Sequence, residues 1–141
     1  GRMWSQRSVI DYALARRATL ADLFGGRAST LDVCDAHPYL LRAAKHHGEP
    51  TEVDCPVCRK ERLTHVTYVY GDELGESSGR TLPSKSLARL EAEYAEIAVY
   101  VVEVCRGCGW NHLITSYVVG HGRVPERAGG QRRARRTGAP D

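Results

Sequence analysis

With 141 residues, an apolar share of 42% and no apolar run long enough to span a membrane, the chain has the size of one domain or of a small module with appendages. Its net charge of +3 is unevenly spread: residues 1–120 hold 14 Lys and Arg against 15 Asp and Glu, and residues 121–141 carry six arginines against Glu126 and Asp141. A nearly neutral body lacks the basic face of a general nucleic-acid binder, so the basic character belongs to the tail. The charged amino terminus has no apolar signal-peptide centre, which gives the expectation of a cytoplasmic chain with reduced thiols.

In chain order, residues 5–25 read as an amphipathic helix. Val9, Ile10, Ala13, Leu14, Leu20, Leu23 and Phe24 recur at helical spacing, and Gly25-Gly26 supplies the stop. Arg7, Arg16, Arg17 and Arg27 make it the basic part of the body. They read as a solvated outer face, with a phosphate or acidic-partner contact through Arg16 and Arg17 as the sharper alternative. Residues 29–47 read as two short helices. Ser29 with Asp32 suits the start of the first, and Pro38 suits the first turn of the second, preceded by Asp35 or His37. Leu40, Leu41 and Ala44 form the buried side of the second. Cys34 and His37 are spaced as a metal half-site, but no second pair lies nearby. Cys34 is therefore expected in the core, and His46, His47, His65, His112 and His121 in structural roles, with a place near the metal as the alternative for His65 or His112.

Two pairs of cysteines follow: Cys55-Pro56-Val57-Cys58 and Cys105-Arg106-Gly107-Cys108. Each Cys-x-x-Cys turn presents two thiolates, and two such turns complete a tetrahedral four-sulfur zinc site. Pro56 stiffens the first turn, and Gly107 and Gly109 give the second its backbone freedom. Arg59, Lys60 and Arg106 lie beside thiolates whose complex with zinc is anionic. Cys58 and Cys105 are separated by 46 residues, against about 15–20 in a compact ribbon. Closing the longer loop costs only about 0.9 kcal/mol more, whereas zinc binding in small modules contributes roughly 10–16 kcal/mol. A disulfide framework conflicts with the reducing compartment. A thioredoxin-type motif conflicts with the charged run Arg59-Lys60-Glu61-Arg62 after the first pair.

Residues 63–70 and 97–104 and residues 113–119 read as strands of an antiparallel sheet, rich in β-branched and aromatic side chains. Residues 71–83 read as a polar loop, and residues 84–96 as an inserted helix with Leu87, Leu90 and Tyr94 on one side. Asp72-Glu73 reads as a solvated turn. Trp110 is expected beside the metal. Residues 121–141, with Arg132, Arg133, Arg135 and Arg136 and almost no large apolar residue, read as a disordered basic tail.

The segments at residues 5–7 (SQR), 11–17 (DYALARR), 34–43 (CDAHPYLLRA), 55–58 (CPVC), 68–74 (YVYGDEL) and 104–112 (VCRGCGWNH) resemble an uncharacterised family of small actinobacterial proteins. The likeness covers roughly residues 4–120. It implies a cytoplasmic, zinc-ribbon-like protein and carries no established activity or catalytic residue. A looser similarity is to the zinc ribbons of transcription factors and RNA polymerase subunits. Some of those carry an Asp-Glu pair at a hairpin tip that helps hold a catalytic metal.

The combined expectation is an α+β chain with helices at residues 1–49, a three-stranded zinc ribbon with an inserted helix at 50–120, and the tail at 121–141. Cys55, Cys58, Cys105 and Cys108 are the expected zinc ligands. Four protein ligands leave no open coordination position, which favours a non-enzymatic accessory protein docking on a transcription or translation complex. The rivals are a direct RNA or DNA binder using the first helix with Arg16 and Arg17, Arg59, Lys60, Arg62 and the tail arginines, and a thiol oxidoreductase or metal-dependent hydrolase.

Overall fold

The computed structural model describes residues 6–123. Its centre is one antiparallel sheet of five strands: β1 (Arg7–Asp11), β2 (Glu49–Asp54), β3 (Arg62–Tyr70), β4 (Ile97–Val104) and β5 (Asn111–Val119), in the spatial order β1-β5-β4-β3-β2. Four helices accompany it: α1 (Ala13–Phe24), α2 (Thr30–Val33), α3 (Pro38–His47) and α4 (Leu87–Glu93). The protein is thus α+β, with two more strands than the three expected.

The strands β3, β4 and β5 fall where their β-branched residues indicate. β3 and β4 pair without a break from Thr64↔Val104 to Tyr70↔Ala98. Residues directly opposite in an antiparallel pair share a face. Val69, Val99 and Tyr117 therefore lie on one face, which α4 covers with Leu87 and Leu90, 2% and 5% exposed. Val66 and Val104 lie on the other face beneath Ala44 of α3, with Leu40 and Leu41 alongside. Burying each such aliphatic side chain stabilises the fold by about 1.5–3 kcal/mol.

Two strands were not legible as strands. The expected helix at residues 5–25 begins only at Ala13, because Arg7–Asp11 pairs with the free edge of β5 as β1. Val9 and Ile10 fit a helical pattern, but they are β-branched and an edge was open to them. The Asp11 carboxylate accepts the Ala13 amide at 2.8 Å, which marks the switch from strand to helix. As a result Leu14 and Phe24 are 72% and 63% exposed, and only Leu20 and Leu23 reach the core. β2 is the second unforeseen strand: Glu49-Pro50-Thr51-Glu52-Val53-Asp54 is polar and contains proline, a composition tolerated only at an edge. Beyond β2 the same edge of β3 is closed by the loop, where Val69 donates to Arg80 at 3.0 Å and Thr81 bridges Tyr68.

The helix expected at residues 84–96 is shorter, a turn of 3₁₀ helix at Ser84–Ser86 followed by α4, with Tyr94 as its extended C-cap. The Ser29–Asp32 start of α2 is present, the Asp32 carboxylate accepting the Ser29 amide at 2.8 Å. His37 caps α3, its Nδ1 accepting the Tyr39 amide at 3.1 Å. Of the expected tail, residues 124–141, with Arg132, Arg133, Arg135 and Arg136, lie outside the described residues. No helix among the described residues is long and apolar enough to cross a membrane.

Candidate metal centre

Both Cys-x-x-Cys segments are the tips of β-hairpins. The first joins β2 to β3 and the second joins β4 to β5, so antiparallel pairing of β3 with β4 brings both tips to one end of the sheet. The thiol sulfurs of Cys55, Cys58, Cys105 and Cys108 all lie within 4.8 Å of one another. Cys55 and Cys108 are 3.7 Å apart, as are Cys58 and Cys105. A tetrahedral zinc with Zn–S bonds of about 2.3 Å places its sulfurs about 3.8 Å apart. Two of the separations match that spacing, and the four side chains are close enough together to hold a metal ion.

The two knuckles share a backbone plan. The Arg59 amide donates to the Cys55 carbonyl at 3.1 Å, and the Gly109 amide to that of Cys105 at 2.9 Å. Each knuckle is closed by its strands: Cys55 N–H donates to the Glu61 carbonyl, and Cys105 N–H to that of Trp110, both at 2.8 Å. Amides point at every one of three sulfurs: Val57 at Cys55 and Lys60 at Cys58, both 3.4 Å, and Cys108 at Cys105, 3.3 Å. Trp110 supplies the fourth, its amide donating to Cys108 at 3.4 Å. The residue after the second cysteine is left-handed in both, Arg59 at φ 61° and Gly109 at φ 93°. Of the two glycines expected to provide freedom, only Gly109 uses it. Gly107 has no left-handed φ; a Cβ there would meet only the exposed Glu61 side chain, 2.7 Å from its Cγ.

Burial pushes the Cys55, Cys105 and Cys108 thiols up, Cys108 to about 12, whereas the amide hydrogen bond from Lys60 holds Cys58 down at about 7. Cys55, Cys105 and Cys108 thus resist ionising inside the apolar cluster unless a cation compensates them. Arg59, Lys60 and Arg106 are exposed around the tips.

Trp110 is fully buried against Cys55, Cys105, Leu63 and Val33, as expected. Its indole N–H donates to Glu103 Oε2 at 2.7 Å, and Arg16 Nε donates to the same oxygen at 2.7 Å. Glu103 is only 4% exposed. This corrects the reading of Arg16 as a phosphate or partner contact: its guanidinium neutralises a buried carboxylate and pins α1 to β4. A lone glutamate inside the apolar run Ile97–Val104 was the available signal. Arg17, Arg59 and Lys60 are exposed, as a contact residue must be. The structure brings none of these three to the sulfur centre by a side-chain bond.

Cys34 is the second correction. It is half-buried, and its Sγ lies 3.5 Å from Cys108 Sγ, as a fifth sulfur beside the four. The linker between α2 and α3 carries it there: Ala36 N–H donates to the Gly109 carbonyl at 3.0 Å, and Asn111 Nδ2 to Asp35 Oδ1 at 3.0 Å. His112 stacks on Trp110 with ring centroids 5.9 Å apart, so it supports the cluster rather than joining it. Glu73 Oε1 accepts the Ala95 amide at 2.9 Å, which makes the Asp72-Glu73 turn a tie to the start of β4.

Five antiparallel strands with two cysteine knuckles converging at one end define an α+β protein whose four-cysteine centre is able to hold a metal ion. The chain belongs to a family of unknown function, DUF5318, matched over residues 3–135. It is similar to the uncharacterised proteins Rv0049 of Mycobacterium tuberculosis and Mb0050 of Mycobacterium bovis, each 52% identical over 132 residues that cover 92% of this chain and 96% of the relative. No solved structure matches the chain.

Proposed function

We propose that the chain is a non-enzymatic accessory protein, organised round a structural zinc, that docks on a transcription or translation complex in the cytoplasm. The observation that carries this reading is the four-thiol centre. Its sulfur spacing suits tetrahedral zinc, an amide points at each sulfur, and four protein ligands leave no coordination position for substrate. A structural site of this kind holds a surface in shape, and function then belongs to that surface. On the sheet face that also carries α3, Tyr68, Tyr70, Tyr100, Val102 and Leu113 line an open groove of about 540 Å³. Aromatic residues of this kind favour protein partners.

The decisive experiment is capture of partners from extract of the native host on the full chain, with and without nuclease, followed by mass spectrometry. Enrichment of transcription or translation components that survives nuclease supports docking on protein. Enrichment abolished by nuclease moves the reading to direct nucleic-acid binding through Arg17, Arg59, Lys60 and the tail arginines. That reading also requires salt-dependent affinity for bare RNA or DNA. Metal analysis of the same preparation must find about one zinc per chain.

A further inference from the structure

We propose that Cys34 and Cys108 form a peroxide-driven disulfide that withdraws Cys108 from the metal centre. The metal half of this inference rests on the zinc reading above; the disulfide half rests on the sulfur geometry alone.

Cys34 Sγ stands 3.5 Å from Cys108 Sγ, closer than the 3.7 Å that separates Cys55 from Cys108 and Cys58 from Cys105. Its place is fixed by backbone, not by chance side-chain contact. The Cys34 carbonyl lies 3.0 Å from where a Cβ on Gly109 would sit, and Ala36 donates to the Gly109 carbonyl. The backbone of one cysteine thus rests against the residue next to the other, and a disulfide needs that kind of close approach.

Accessibility leaves this pair open to an oxidant. Cys55 and Cys105 are 0% exposed, so an oxidant in solvent does not reach their sulfurs directly. Cys34, Cys58 and Cys108 are half-buried and reachable. Cys58 has a ligand, buried Cys105, as its near sulfur. Cys108 has Cys34, which lies outside the set of four. A Cys34–Cys108 bond therefore costs the centre one ligand, where a bond between two ligands would cost it two.

The chemistry balances with hydrogen peroxide as oxidant. Cys108 gives up its proton to solvent hydroxide, forming water, and its sulfur attacks one peroxide oxygen; an S–O bond forms, the O–O bond breaks and hydroxide leaves. The Cys34 thiol loses its proton to that hydroxide, giving water, and its sulfur attacks the Cys108 sulfenic sulfur. The S–S bond forms, the S–O bond breaks, and a second hydroxide leaves. Two sulfurs are oxidised by one electron each, and peroxide is reduced by two. Three thiolates remain for the metal.

The test uses the purified full chain, its metal content measured first. The chain is treated with hydrogen peroxide in the presence of a chromogenic chelator, then alkylated and mapped by non-reducing peptide mass spectrometry. The expected result is a Cys34–Cys108 linked peptide that appears in step with metal release, both reversed by dithiothreitol. Cys34→Ser should release metal at least several-fold more slowly. A map showing disulfides only among Cys55, Cys58, Cys105 and Cys108 with Cys34 free overturns the proposal, as does release from Cys34→Ser at the wild-type rate. Should that variant fold poorly, the wild-type map alone decides. A preparation without metal overturns the zinc reading and the release, while the map still decides the disulfide.

Discussion

Trp110 donates its indole N–H to Glu103 at 2.7 Å, and both side chains are sealed from water, at 0% and 4% exposure. The bond joins the second knuckle to the strand that leads into it, and Arg16 completes it from α1. Removing one partner leaves a buried carboxylate short of donors. Arg16→Ala should destabilise the protein by about 2–4 kcal/mol, below the full value for a sealed pair because the arginine is partly solvated. Trp110→Phe, which keeps the ring and loses the donor, should cost about 1–3 kcal/mol. Chemical denaturation measures both. An Arg16→Ala variant as stable as wild type would show that water replaces the guanidinium.

Metal removal should act unevenly along the sheet. The cluster of Val69, Leu87, Leu90, Ile97, Val99, Tyr117 and Val119 contains no cysteine, and β3 and β4 are paired along their length. The cluster of Leu63, Val33 and Trp110 includes the cysteines themselves. After chelation, or in Cys55→Ser, amide exchange should accelerate by orders of magnitude at residues 55–63 and 105–110 and in the linker at 34–37. Amides of Val99 and Val119 should stay protected. Uniform loss of protection would mean that the metal governs the whole fold.

The two left-handed positions should respond in opposite ways. Arg59 adopts φ 61° at a steric cost that glycine avoids, so Arg59→Gly should leave stability unchanged or raise it by up to about 1 kcal/mol. Gly109 combines φ 93° with the Cys34 carbonyl 3.0 Å from its missing Cβ. Gly109→Ala should cost about 2–3 kcal/mol and displace the linker that carries Cys34. Thermal melts of the two variants, with thiol-labelling rates at Cys34, test this; equal effects would remove the distinction between the knuckles.

Stability with and without metal should depend on pH with opposite signs. In the metal-free chain, burial raises Cys55, Cys105 and Cys108 above the ordinary thiol value of 9.0, so the folded state keeps protons that the unfolded state loses. Their contribution is intact below that value and fades as pH rises beyond it. Cys58, held near 7, works the other way, one thiol against three. The metal-bound chain needs thiolates, so its advantage grows with rising pH and falls on acidification. Melting curves between about pH 6 and about pH 10 should diverge for the two forms, and parallel curves would argue against thiolate ligation.

How much of this was legible in the sequence follows from where the information lay. The four ligands were plain because spacing alone defines a knuckle, and strands β3, β4 and β5 were plain because their β-branched runs are long. Cys34 was not, because nothing local tells that residues 34–36 will lie along Gly109. Arg7–Asp11 was misread because Val9 and Ile10 satisfy helical spacing, while the edge of β5 that claims them lies more than a hundred residues away. Arg16 looked like a free surface cation until its partner, Glu103, was seen to be buried beneath it.

The pairing of β1 with β5 has a mechanical consequence. Arg7 lies opposite Val118, and its guanidinium donates to the Gly120 carbonyl at 3.0 Å, so the first and last strands of the sheet meet at the end remote from the cysteines. A tension applied between residues 7 and 120 loads that ladder from its open end. The strands then part like a zipper, one rung at a time, at low force. β1 would peel away first, and the pull would reach the thiols only after it had travelled the length of β5.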